Sequence, residues 1–196
     1  MKRVAVLISG RGSNLRSLIA AEDESYKIIL VASNVEGAGG LDKARAAQIP
    51  TIVISHQGKT REAFDAEIDR ALRAARAEIV VLAGFMRILS DGFVRGWEGR
   101  LINIHPSLLP AYKGTRVHQR VIEAGEALSG ASVHFVVPEL DAGPVIAQSS
   151  APVHPSDTPE TLAERVLGVE HKLYPEALKL LAKGKVTLKN GLAVFD

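Results

Sequence analysis

The chain contains no cysteine. Disulfides and cysteine–zinc sites are thereby excluded, and the composition fits a reducing compartment. It also lacks any stretch approaching the ~20 apolar residues of a membrane-spanning helix. The apolar run near the start, Val4–Ile8, is too short for the core of a signal peptide, and Ser9 and Gly10 follow it directly. A cytoplasmic location with no membrane partner is therefore expected. Charge of one sign is missing too: 24 basic and 22 acidic residues leave a formal +2, with no basic block. Nothing in that balance points to nucleic acid. Repeats, linkers and low-complexity tracts are absent as well.

What is present is the composition of an ordinary globular protein. Of 196 residues, 46% are apolar and 23% charged, which fits a single domain over 1–196. Val4–Ile8, Ile28–Ala32, Thr51–Ile54 and Ile79–Ala83 are short, nearly continuous apolar runs of the kind that form strands buried on both faces. Between them lie helical patterns. Leu15, Leu18 and Ile19 open one, Leu41–Gln48 is a second, and Thr60 caps a third with Phe64, Ile68, Leu72 and Ala75 along one stripe. Strands alternating with helices through short links predict a doubly wound α/β fold with a mostly parallel sheet. Its ligands are expected at the carboxyl ends of the strands where strand order reverses, between the loops after the first and fourth strands.

The second half departs from that rhythm. Ser90 caps a short helix to Gly96, and Val117–Ala124 forms another. Ala131–Val137 and Val145–Gln148 have strand composition, and the turn between them carries Asp141, so an antiparallel hairpin is expected there. Thr158-Pro-Glu-Thr opens a long helix with Leu162, Val166, Val169 and Leu173 buried; Pro175 is expected to break or kink it. Asn190-Gly191 between apolar pairs signals a final hairpin.

Two stretches carry chemistry. Ser9-Gly-Arg-Gly-Ser-Asn14 stands between a strand and a helix, where backbone amides can hold an anion. It lacks the third glycine of a dinucleotide fingerprint, since residue 15 is leucine, and Ser33-Asn34 replaces the acid expected after the second strand. Nor is it a P-loop. It reads either as a cradle for one phosphate or as a tight turn. The other stretch is Leu101-Ile-Asn-Ile-His-Pro-Ser-Leu-Leu-Pro110. Pro106 ends the strand near His105, and Asn103 and His105, two apart, point to one side. An amide donor beside a titratable base at a strand end suits an oxyanion site with acid/base help. Asp141 is the candidate acid to orient or charge the imidazole. Gly84-Phe-Met-Arg-Ile-Leu89 either tucks into the core or lines a pocket for a flat, partly apolar ligand. His134, amid Val133, Phe135 and Val136, reads as structural. The remaining histidines show no metal-ligand spacing, so no metal is expected.

Taken with Leu140-Asp-Ala-Gly-Pro144, these motifs closely resemble the glycinamide ribonucleotide formyltransferases, within the wider folate-dependent formyltransferase group. The likeness runs in order over nearly the whole chain. It implies formyl transfer from 10-formyltetrahydrofolate, a co-substrate, to the amine of glycinamide ribonucleotide in purine synthesis, by a Rossmann-like enzyme acting as monomer or homodimer. It implies Asn103, His105 and Asp141 as the catalytic trio, and Gly12, Ser13, Asn14 and Glu170 at the ribonucleotide. Arg61, Met86, Arg87, Ile88, Leu89 and Leu140, with Asn103 and Asp141, would line the folate site. It divides the chain into a phosphate-binding half, about 1–100, and a catalytic and folate-binding half, about 84–183. Glu170 and Arg61 otherwise read as exposed helix charges. Arg11 departs from the asparagine common in the family, a change compatible with a neighbouring phosphate. The tail after Lys185 is expected to vary. A formyltetrahydrofolate hydrolase would share the trio, but with an added N-terminal domain that a first strand near residue 3 leaves no room for. A methionyl-tRNA formyltransferase would need a C-terminal RNA-binding domain and a basic surface. A non-catalytic nucleotide-binding module would leave the trio without a purpose.

Overall fold

The computed structural model describes residues 1–196. Five strands run parallel: β1 (Lys2–Ile8), β2 (Tyr26–Ser33), β3 (Thr51–Val53), β4 (Ile79–Leu82) and β5 (Leu101–His105). Two more, β6 (Leu128–Phe135) and β7 (Val145–Pro152), add antiparallel at the β5 edge. The sheet order is β3-β2-β1-β4-β5-β6-β7. The chain thus winds outward from β1, returns, and winds the other way from β4. The reversal falls between β1 and β4, where the alternation of strands and helices placed the ligand crevice.

Helices cover both faces. On β1, Val4, Val6 and Ile8 face one core and Ala5 and Leu7 the other, which is why the run is apolar without a break. The first core is closed by α1 (Ser13–Ala20), α2 (Gly39–Ala46), α5 (Val117–Glu123) and α6 (Pro159–Ala182). The second is closed by α3 (Arg61–Ala74) and α4 (Asp91–Gly96), with Trp97 buried at the end of α4. Thr60, Ser90 and Thr158 cap α3, α4 and α6 as the sequence suggests. A two-stranded hairpin of β8 (Val186–Lys189) and β9 (Leu192–Phe195) turns at Asn190-Gly191. No helix is long and apolar enough to cross a membrane.

Of the break or kink expected at Pro175, the break does not occur: α6 runs through it for 24 residues. The missing N–H and ring clash cost about 3 kcal/mol in a helix interior. Leu173, Tyr174, Ala177 and Leu178 are all buried around it, and each large side chain returns ~1.5–3 kcal/mol. The one proton of the Tyr174 hydroxyl is shared between the carbonyls of Leu82 (2.9 Å) and Ile102 (3.2 Å), fastening the helix to β4 and β5.

Candidate functional site

The glycine loop leaves β1 at Ser9 and enters α1 at Ser13. Gly12 precedes the helix with φ 72 and ψ 38, and no side chain caps the first turn. The first-turn N–H groups are therefore open to a ligand. A Cβ on Gly12 would lie 2.5 Å from the Cα of Gly40 at the start of α2. The Gly40 N–H donates to Gly10 O at 3.0 Å, so two helix starts meet at this loop.

Asn14 turns its amide to Glu170. Its Nδ2 donates to Glu170 Oε2 at 2.7 Å, and both residues are buried. Glu170 is thus not the exposed helix charge that its place in the sequence suggests. The long helix α6 packs on α1 and turns this carboxylate inward. Burial pushes its pKa up, and the Asn14 hydrogen bond offsets that only in part. Asn14 Oδ1 is buried with no partner in the protein.

The second region lies at the end of β5. Register sets Asn103 opposite His134 and His105 opposite Ser132 on β6. Asp141 sits in the turn between β6 and β7 at φ 48. That turn is pressed flat on β6: a Cβ on Gly143 would come within 1.7 Å of Phe135 O, so only glycine fits. Asp141 Oδ2 lies 3.3 Å from His105 Nδ1 and accepts from the Gly114 N–H at 2.9 Å. His105 Nε2 donates to Tyr112 O at 2.9 Å. Both ring nitrogens are engaged, which fixes the imidazole plane.

His134, read from sequence as structural, stands among these residues. Its Nδ1 lies 2.9 Å from Phe135 O, which can only accept, so the proton is on Nδ1. Nε2 then offers a lone pair to the Asn103 Nδ2–H, 3.3 Å away. Burial lowers the His134 pKa and so favours this neutral form, even with Asp141 Oδ1 at 3.8 Å. Its apolar sequence neighbours conceal this role. The signal lies in pairing: the hairpin carrying Asp141 must bring the last residues of β6 beside β5.

Next to the trio is an apolar-walled pocket of about 120 Å³, lined by Arg87, Leu89, Asn103, His134, Val136 and Pro138 among others. A cleft of about 650 Å³ shares Arg87, Ile88, Asn103, Leu140 and Asp141 with it and extends over His105 towards Arg116 and His118. Met86, Ile88 and Leu140 are exposed at its rim. Arg87 Nε is buried without a partner in the protein. Arg61 is not brought here. It lines a different cleft, between α3 and α4, with Asp65, Ser90 and Asp91. The structure therefore gathers Asn103, His105, Asp141, Arg87, Ile88, Leu89 and Leu140, and keeps Gly12, Ser13, Asn14 and Glu170 together at the end of β1. No three His, Asp or Glu side chains are placed to hold a metal ion.

The chain is similar to known proteins. The chain is 53% identical over 194 residues to the trifunctional purine biosynthetic protein adenosine-3 of Bos taurus, spanning 96% of its own length but 19% of that protein's. It is 43% identical to the phosphoribosylglycinamide formyltransferase of Escherichia coli K12, covering 98% of this chain and 93% of that one. The crystal structure of glycinamide ribonucleotide transformylase 1 from Symbiobacterium toebii superposes with a TM-score of 0.96 at 36% identity, over 100% of this chain and 94% of that one. The Formyl transferase family matches residues 2–178, nearly the whole of the sheet and its helices, and this chain belongs to it.

Proposed function

We propose that the protein transfers a formyl group from 10-formyltetrahydrofolate to the amine of 5-phosphoribosylglycinamide, the third step of purine synthesis. The observation that carries this reading is the meeting of Asn103, His105 and Asp141 beside an apolar-walled pocket. The flat folate ring suits that pocket, under Arg87 and Leu89. The phosphate of the ribonucleotide suits the open first turn of α1 at Gly12 and Ser13, with Glu170 nearby for a sugar or glycinamide hydrogen. On this reading residues 1–100 form the phosphate-binding half, and residues 84–183 the catalytic and folate-binding half of one domain. The E. coli relative, of similar length, supports the reading by name.

The reaction needs three services from these residues. The glycinamide nitrogen attacks the formyl carbon, and the carbonyl oxygen becomes an oxyanion. Asn103 uses one amide N–H on His134 and keeps the other for that oxygen. The His105 Nε2–H, directed at Tyr112 O in the resting site, is the second donor. Asp141 takes the proton shed by the amine, directly or through water. The carbon–N10 bond then breaks, and N10 leaves with a proton.

The test is folate absorbance with and without the ribonucleotide. Turnover that requires the amine supports the transferase. Turnover at the same rate without it would make the protein a hydrolase, and no turnover with a folded chain would leave only a binding module.

A further inference from the structure

Ser9 stands immediately before the glycine loop, yet its side chain turns away from it. The hydroxyl has one proton and two lone pairs. The proton goes to Asn34 Oδ1, 2.6 Å away at the end of β2. A lone pair accepts the backbone N–H of Met86 at 2.8 Å. The Ser9 N–H donates to Gly84 O at 3.0 Å, and Ala83 N–H donates to Leu7 O at 2.9 Å. These bonds carry the segment after β4 along the end of β1, beyond the point where the strand pairing stops at Leu82. Asn34 is held in turn, since its Nδ2 lies 3.2 Å from His56 Nδ1.

The other end of this segment is fastened in the same way. Ser90 N–H donates to Asp65 Oδ2 at 2.6 Å, and Asp65 is buried. Between the two fastenings lie Met86, Arg87, Ile88 and Leu89, which carry no regular secondary structure and line the apolar-walled pocket and its cleft. Phe85, just before them, stacks on Phe64 with centroids 6.4 Å apart. The Ser9 hydroxyl is the side-chain acceptor for the N-terminal end of the segment.

We infer that Ser9 is a positioning residue for the pocket, not for the neighbouring phosphate loop: its hydroxyl sets where Arg87 and Ile88 meet the folate. This rests on the pocket being the folate site. Adjacency in sequence and contact in space make opposite forecasts, which makes the idea easy to test. If Ser9 served the loop that follows it, its loss would weaken ribonucleotide binding. If it serves Met86, its loss weakens folate binding.

The experiment compares the unaltered protein with Ser9→Ala, Ser9→Thr and Asn34→Ala in steady-state formyl transfer, with hydrogen exchange at the Met86 amide. Loss of one such hydrogen bond is expected to raise the folate KM roughly fivefold to tenfold. The ribonucleotide KM should move less than twofold. Exchange at Met86 should quicken in Ser9→Ala, and Ser9→Thr, which keeps the hydroxyl, should restore both readouts. Asn34→Ala, which leaves Ser9 in place but removes its acceptor, should give a smaller effect of the same kind. An unchanged folate KM in folded Ser9→Ala, or an equal rise in both KM values, overturns the inference. Absence of formyl transfer by the unaltered protein overturns instead the function on which it rests, and quickened Met86 exchange still reports on the contact.

Discussion

At the end of β1 the chain offers a ligand mostly backbone: an open helix start, a loop held by the near contact of Gly12 and Gly40, and a buried Asn14–Glu170 pair behind it. At the ends of β5 and β6 it offers side chains. Four of them, Asn103, His105, His134 and Asp141, fix one another's orientation. The difference suits two kinds of work. A phosphate keeps its charge through the reaction, and steady N–H groups hold it adequately. A transition state gains charge briefly, and the spare N–H of Asn103, whose other N–H is held on His134, meets it without reorganising. Changes at the first region should therefore appear as binding, and changes at the second as turnover.

The largest effect is expected at the second region. His105→Ala should reduce kcat on the order of a hundredfold or more, the scale of losing one oxyanion donor, while the ribonucleotide KM stays nearly constant. Asp141→Asn should also lower kcat, and the double variant should lose less than the product of the two, because they act as a unit. Steady-state kinetics on the four proteins decides the matter. Multiplicative losses would separate Asp141 from His105, and a raised ribonucleotide KM would blur the division between the regions.

Gly12→Ala probes the first region. The new Cβ meets backbone, which cannot swing aside, and φ 72 disfavours a side chain there. The loop must shift, so the ribonucleotide KM should rise on the order of tenfold, with kcat at saturation changed far less. Overpacking of this kind costs ~1–3 kcal/mol, and each kcal/mol lowers Tm by about 2–4 °C in a domain of this size. A melting curve beside the kinetics checks both parts. A fall in kcat with an unmoved KM would contradict the division.

How much of this was legible beforehand also differs between the regions. The loop at Gly12 was visible because glycine spacing between a strand and a helix is a local pattern. Asn103 and His105 were visible because alternation on a strand is local too. His134 was hidden: its significance comes from register with β5, and its neighbours Val133 and Phe135 are ordinary strand residues. Glu170 was hidden for a similar reason. Nothing near it in sequence says that α6 lies on α1, and a charge on a helix is usually solvated. At Pro175 the helix does not break, because the local rule is sound but the burial around it is larger. The resemblance supplied Asp141 and Glu170, which local patterns could only nominate or miss.

His134→Phe tests the hidden member. It keeps a buried ring but removes the acceptor from Asn103, leaving that amide free to turn. A kcat loss of roughly fivefold to tenfold is expected, with ribonucleotide KM unchanged. The pKa shift adds a pH signature. Because burial lowers the folded value, the unfolded chain binds the proton more readily. The stability this site contributes is present above the ordinary histidine value of about 6.5 and is lost as pH falls through the lowered one. Melting temperatures across mildly acid pH should therefore fall faster for the unaltered protein than for His134→Phe. Parallel curves would mean that the ring's neutrality is unimportant to the fold.

The smallest effect is expected at Glu170, and it has the opposite sign. Burial raises this carboxyl's pKa, so the folded chain holds its proton more tightly than the unfolded chain does. The contribution is fully favourable below the ordinary carboxyl value and is lost as pH rises through the raised one. At neutral pH the buried charge is therefore a cost, lessened by the Asn14 hydrogen bond. Glu170→Gln keeps an oxygen for Asn14 and removes the charge. Its Tm should rise by a few degrees at pH 7, taking about 2–4 °C per kcal/mol as the scale, and should match the unaltered protein near pH 4. The same variant should bind the ribonucleotide less well, if the carboxylate accepts a hydrogen from sugar or glycinamide. A protein more stable but poorer in binding would show that the first region, though built largely from backbone, keeps one buried charge for its ligand. A Tm gain that persists unchanged at pH 4 would show that the stabilisation does not come from removing that charge.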